Sequence, residues 1–468
     1  MNLAKNLRKY FRRRFWVKIK KEERFMKCSL RMLFIVTMAM VLVVFVISVG
    51  FAQEKVTITV EDYFLESDIG KFVDEMAIGF EKSHPNVKID HVSVPFAELL
   101  PTVLQQSLTN TLPDIIMADN PWVPQFIKAG VYKDITDKVK EWGWENWEDF
   151  FKGIREVTSS EGKIYAFQVT NNNLALFYRK SLLDKAGIDN PPETWQELEE
   201  DCKKIREALD IYGFAFDACA SEEGTWQFEP FLWSNGGSLL ELDQPEAIEA
   251  LQFLTDMVKE GYVPRDVVNV VSQGDPTQWF VNGEVAFMIN GNWEFSWHLT
   301  EDVMQQLGDV GVVAIPRRDK NMPPIGPFGG ECYGISSSID PAKYDLAWEF
   351  LQLLVLPDNM LKLNQNGRVG LPTRASLADK ILAEQPLLKI FLEQSQYSLP
   401  RPLMGGIEKY PDVSSFVWVA IQKALIGAAT PEEAFKEAAR NIQGLFSPED
   451  YEKYKQLART LLQEASGN

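Results

Sequence analysis

From Val56 onward, short apolar runs alternate with longer stretches whose apolar residues recur at helical spacing. "VTITV" (56–60) has the β-branched content of a buried strand. Ile69, Phe72, Val73, Met76 and Phe80 then mark one face of a helix. "VKIDHVSV" (87–94) predicts a second strand, 96–109 a second helix, and "DIIMA" (114–118) a third strand. A further helix near 122–129 stops at Gly130. This is a βαβαβ unit, and the continued alternation predicts an α/β protein with largely parallel sheets.

Helix starts are well marked further along. Thr194 with Glu197 and Thr430 with Glu433 read as capping boxes. Pro245 opens a helix carrying Ile248, Leu251, Leu254 and Val258 that Gly261 closes, and Pro341 opens another. The segment following "SPED", about 448–465, predicts a terminal amphipathic helix. No internal repeat and no Gly/Ser linker interrupts the chain. At 468 residues it is too long for one ordinary core, so two lobes with several chain crossings are expected.

Charge changes the picture at the amino end. Residues 1–31 carry twelve Lys/Arg against two Glu, whereas the whole chain has a net charge of −18. An uncharged run, "MLFIVTMAMVLVVFVISVGFA" (32–52), follows the basic stretch, with Gly50 and Ala52 placed for cleavage before Gln53. Residues 1–52 therefore predict a leader with a signal peptide, its true start at Met26. The alternative is an uncleaved anchor at 32–52, because about 20 apolar residues span a bilayer. Either way the acidic body lies outside the cytoplasmic membrane, periplasmic or extracellular. So acidic a body repels phosphate backbones and argues against nucleic acid as a partner. Cys202, Cys219 and Cys332 make no disulfide framework; Cys202 falls in step with Trp195, Leu198 and Ile205 on a helix face, although a Cys202–Cys219 bridge is an alternative.

No HExxH, GxSxG, P-loop or GxGxxG is present, and no carboxylate pair stands out among the 66 acids. Neither a cofactor nor a metal site is indicated. What recurs is aromatics beside turn and amide residues: "ADNPW" (118–122), "TWQFEPFLWSNGG" (225–237), "INGNW" (289–293) and "SSFVW" (414–418). An aromatic ring covers the C–H face of a pyranose while Asp, Asn and Arg take its hydroxyls, so this pattern points to carbohydrate.

The same segments resemble the extracellular solute-binding proteins of ABC sugar importers. The likeness is carried by "LPDIIMADNPWVPQFIKAGVYKDIT", "GKIYAFQVTNNNLALFYRKSLLDKAGIDNPPETWQEL", "LWSNGGSLL", "FVNGEVAFMINGNW", "GGECYGISSSIDPAKYDLAWEFL" and "NGRVGLPTRASL", in that order. The resemblance implies a two-lobed, type II periplasmic-binding-protein-like α/β fold, with mostly parallel sheets and crossings near 168–174, 312–317 and 366–372. Residues 53–170 and 315–368 would form one lobe, 171–314 and 369–446 the other, and 447–468 a terminal helix. It implies a monomer that closes on a carbohydrate, expected to be an oligosaccharide, and delivers it to the membrane permease. Trp293 and Trp418 take the positions of the family's sugar platforms, with a third aromatic near Trp226–Phe228. Polar contacts would come from Asp62, Asp119 and Asn120 beside Trp122, from Asn172 at the first crossing, and from Glu331, Tyr333 and Arg368. The rival readings are a receptor for a polyamine, peptide or osmolyte, whose cations an aromatic cage would hold, and a polysaccharide-processing cleft enzyme.

Overall fold

The first strand, β1 (Val56–Asp62), forms because Ile58 and Val60 are wholly buried between layers of helix. It pairs in parallel with β2 (Val87–Ser93) on one side and β3 (Ile115–Asp119) on the other. The intervening helix Asp68–Ser83 buries Phe72, Val73, Met76 and Phe80, as its spacing predicts. This computed structural model describes residues 55–64, 67–365, 370–384, 386–401 and 408–466, and Trp16, Met26, Thr37 and Met38 of the leader. The expected cleavage site and Arg368 lie outside the described residues. Met1–Lys55 and Val56–Asn468 are separate compact units. Among the described residues no helix is long and apolar enough to cross a membrane.

The later strands are β4 (Ala166–Gln168), β5 (Asn172–Arg179), β6 (Tyr212–Ala215), β7 (Val285–Gly291), β8 (Val310–Val313), β9 (Gly326–Gly329), β10 (Glu331–Ile335) and β11 (Ser398–Pro400). They complete two sheets. The first has the order β2-β1-β3-β10-β4; the second runs β11-β9-β5-β7-β6, with β8 also pairing β5. The expectation of mostly parallel sheets is corrected. β10 is antiparallel to both β3 and β4, and β5 is antiparallel to β7, β8 and β9. The reason is topological: a strand arriving from the other lobe enters against the direction of the local βαβ units.

Side chains alternate across the second sheet. Leu174, Leu176, Phe287 and Ile289 join one core; Ala175, Phe177 and Met288 face the other, with Phe295 and Phe391. Both expected capping boxes are present, and the helices Pro245–Lys259 and Pro448–Ala465 lie where expected. The helix expected at Pro341 begins later, as Tyr344–Leu354. Cys202 is buried in the core, and Cys202 and Cys219 are both free thiols.

The first crossing joins β4 to β5 through 169–171, as expected. The second is not at 312–317. Ile315 packs in the second core, Pro316 O accepts from Trp195 Nε1, and β9 still pairs with β5. The chain changes sheets at Gly330, between β9 and β10. The third expected crossing also moves. Leu371 pairs with Asn171, but Thr373 and Ala375 still bond to Phe151 and Asp149 of the first lobe. The chain reaches β5 by the helix Lys389–Ser395, where Asn173 Nδ2 donates to Phe391 O.

Gly330 has φ +146°, and a Cβ there would lie 2.1 Å from Thr170 O. Gly330→Ala is therefore expected to destabilise the body by about 3 kcal/mol or more, from backbone strain and overpacking together. Urea denaturation of the two proteins side by side measures this; equal midpoints would show that the crossing tolerates a side chain.

Candidate functional site

The carboxyl ends of the strands and the crossings border a cavity of about 230 Å³. Tyr63, Phe96 and Asp119 line it from the first lobe; Glu222, Trp226, Gln273, Trp293 and Trp297 line it from the second. Thr170, Asn171, Asn172, Glu331 and Gly370 form its back wall, and Arg401 lies between the lobes. Ligand sites of open α/β sheets sit at strand ends of this kind.

The turn that presents Trp293 is built by amides. Asn290 Nδ2 donates to Gln273 O and to Thr277 Oγ1, both at 2.8 Å. Asn292 Oδ1 accepts from the Asn173 backbone N–H at 3.1 Å. These bonds fix the end of β7, and the Trp293 ring lies over Gly291, where a Cβ would meet Cζ3 at 1.9 Å. A half-buried indole results, held at the cleft rather than taken into the core. Trp297, one helical turn on, is 42% exposed and lines the same space.

Arg401 dominates the electrostatics. It is buried, yet its Nη1 donates to Glu222 Oε1 at 2.6 Å and its Nη2 to Asp119 Oδ1 at 3.1 Å and Asn120 Oδ1 at 3.3 Å. Its guanidinium stacks over the Trp226 ring, 4.0 Å from the centroid. Burial opposes the charge, but Asp119 and Glu222 outweigh it and hold the group protonated more firmly than usual. Burial lifts the Asp119 carboxyl in turn, and Arg401 offsets that lift. Tyr410 donates to Glu222 Oε1 at 2.7 Å. Glu331 stands apart from this network. Tyr63 donates to its Oε1 at 2.7 Å, while burial, reinforced by the charge of Asp119, pushes its carboxyl up to about 8.

Several expected site residues line the cavity: Trp293, Trp226, Asp119, Asn172 and Glu331. Asn120 sits just behind, buried against Arg401. Others are placed elsewhere. Trp418 is half-buried on the helix Tyr410–Leu425 and is not among the lining residues. Phe228 packs edge-on against Phe435 in the second core, and Trp122 lies against Phe96 beneath the cleft. Asp62 is wholly buried, accepting from Tyr333 Oη at 2.7 Å and contacting His91 Nε2 at 2.8 Å, so Asp62 and Tyr333 brace the floor from below. It is the neighbour, Tyr63, that reaches the cavity. Sequence reading missed Tyr63, Trp297, Gln273 and Arg401. Trp297 had a signal, standing four residues after Trp293 in "NWEFSW"; Arg401 had none, because both its partners are more than 170 residues away.

Two measurements follow from these contacts. Arg401→Ala leaves Asp119 and Glu222 buried without their cation and should cost about 3–5 kcal/mol in chemical denaturation. A loss under 1 kcal/mol would mean the three charges are not buried together. Glu331 keeps a proton in the folded state that the unfolded chain releases above its ordinary value of 4.5. Native protein thus binds more protons than unfolded protein, and stability falls as pH rises from about 4.5 toward 8. Glu331→Gln stays neutral throughout, so its melting temperature should decline less over that range than the unsubstituted protein's; parallel curves would show Glu331 ionised in the fold.

Known proteins place this geometry. The family profile of bacterial extracellular solute-binding proteins matches residues 64–361. Maltose-bound MalE3 of T. maritima is 27% identical, superposes with a TM-score of 0.74, and is matched over 84% of this chain and 100% of its own. An ABC transporter solute-binding protein of Thermotoga lettingae, bound with α-D-tagatose, is also 27% identical with a TM-score of 0.74, over 83% of this chain and 99% of its own. The sn-glycerol-3-phosphate-binding periplasmic protein UgpB of Pectobacterium atrosepticum is 24% identical over 81% of this chain and 89% of its own. The chain belongs to the bacterial extracellular solute-binding protein family.

Proposed function

We propose that the chain binds a neutral sugar of one or two rings, or an open-chain polyol, in this cleft, outside the cytoplasmic membrane, and presents it to the permease of an ABC importer. The observation that carries the reading is a set of unsatisfied polar atoms. Asn171 Oδ1, Asn292 Nδ2, Glu331 Oε2 and Arg401 Nε are buried without a hydrogen-bond partner, and all four belong to cavity-lining residues. Buried polar atoms are costly unless paired. Unpaired donors and acceptors on the lining of one cavity suit sugar hydroxyls, each of which can both give and take a hydrogen bond. Trp293 and Trp297 supply apolar surface for the C–H face.

The cavity supports a smaller solute than the oligosaccharide expected from sequence, since about 230 Å³ lies below the range of roughly 300–1,000 Å³ usual for drug-sized ligands. The maltose and tagatose carried by two of the similar proteins are of this scale. A phosphate ester suits the site less well. Arg401 already has two carboxylate partners, and Glu222 and Asp119 would repel a dianion. A glycosidase reading also loses support, because those two carboxylates are tied to Arg401 and not directed at a scissile bond. Hinge closure would follow from solute contacts made with both lobes at once.

A thermal-shift series tests the proposal. A matching sugar or polyol at 100 times its dissociation constant should add about 2.7 kcal/mol. A shift with spermidine or sn-glycerol-3-phosphate but with no sugar or polyol would overturn it. Trp293→Ala should weaken the identified solute roughly ten- to a hundredfold by loss of one aromatic face. Gly291→Ala, which displaces the ring without removing it, should weaken it in the same direction. Unchanged affinity in both variants would remove Trp293 from the site.

A further inference from the structure

Behind the wall that Glu223 contributes to the cleft lies a second cluster. Asp217, Cys219 and Glu223 each offer a ligand atom, and these atoms lie within 4.8 Å of one another. The segment after β6 and the first turn of the helix Glu222–Ser234 bring them together. Asp217 is wholly buried. Its Oδ1 accepts from the Cys219 backbone N–H at 2.7 Å, while its Oδ2 is buried with no hydrogen-bond partner. Cys219 Sγ lies 3.7 Å from Glu223 Oε2 and 3.0 Å from Ser221 Oγ. In a tetrahedral zinc site, with sulfur and oxygen at their usual bond lengths, the sulfur–oxygen edge is about 3.5 Å. The observed 3.7 Å is close to that edge.

We propose that Asp217, Cys219 and Glu223 form a divalent-cation site of the zinc class immediately behind the solute cleft. Thiolate with two carboxylates is a borderline-soft donor set that favours zinc over calcium or magnesium. The surroundings are consistent with it. Three ligand atoms, each anionic when ionised, lie within 4.8 Å of one another and repel in the absence of a cation. A cation in their midst reverses that repulsion and holds the thiol deprotonated. A fourth position would be left for water. Glu223 Oε1 accepts from Gln273 Nε2 at 3.2 Å, and both residues line the cleft.

The experiment uses the full chain, stripped with chelator and titrated with cobalt(II). One equivalent should bind with a sulfur-to-cobalt charge-transfer band in the near ultraviolet, and one equivalent of zinc should abolish the band. Cys219→Ser should eliminate the band, and Asp217→Asn should weaken binding at least tenfold, while Cys202→Ser leaves both unchanged. The proposal fails if the unsubstituted chain shows no band, a result that needs no variant to fold. It fails equally if the band survives Cys219→Ser, or if Asp217→Asn binds as tightly as the parent.

Discussion

A guanidinium removed from water is tolerated only where carboxylates surround it at hydrogen-bond distance. For Arg401 those carboxylates come from different lobes. Asp119 ends β3 of the first sheet, and Glu222 opens a helix that packs on the second. Arg401 itself directly follows β11. The ion triad can exist only when the two sheets meet at this separation and angle, and once formed it opposes their parting. Trp226, stacked on the cation, excludes water from one side and raises the strength of each contact. Arg401 thereby ties the two walls of the cleft together from within.

The crossings between the sheets are also part of the wall. Gly330 fits against Thr170 O, Leu371 N donates to Asn171 O at 2.7 Å, and the Glu331 N–H donates to Thr170 Oγ1 at 3.0 Å. Thr170, Asn171, Glu331 and Gly370 therefore serve at once as hinge backbone and as cavity lining. If the two lobes close on a solute as proposed, one that bonds to Asn171 or Glu331 would touch the crossing backbone itself, a direct route from binding to the equilibrium between open and closed forms.

Much of the fold was legible from local pattern. β1 to β3 and their helices follow from period and punctuation, and the capping boxes at Thr194 and Thr430 from four residues each. Trp293 was legible because a turn of amides must hold a tryptophan somewhere, and Gly291 leaves room for its ring. Depth was not legible. Asp62 and Tyr63 are neighbours on one strand end, and only packing decides that the acid is sealed beneath while the phenol reaches the cavity. Phe228 shares the same difficulty: it lies on a helix, where a single residue of rotation separates cleft from core. The second crossing, placed at 312–317 by the resemblance, was off because β8 and the chain after it remain bonded to β5 and its core. Arg401 depends wholly on contacts distant in sequence, which no local pattern encodes.

The charge of the chain and the charge of its cleft are separate matters. The acidic surface suggests a cation receptor, but within the cleft Asp119 and Glu222 are spent on Arg401, and Glu331 is held largely uncharged near neutrality by burial. A neutral carboxylic acid is a hydrogen-bond donor as well as an acceptor. Beside Asn171 and Asn292 it offers a hydroxylated solute the same mixture of giving and taking that water would, but in fixed positions. On the proposed reading, selectivity for uncharged polyhydroxy compounds would arise from burial itself: the desolvation that keeps Glu331 protonated also makes any ligand ion costly to bring in.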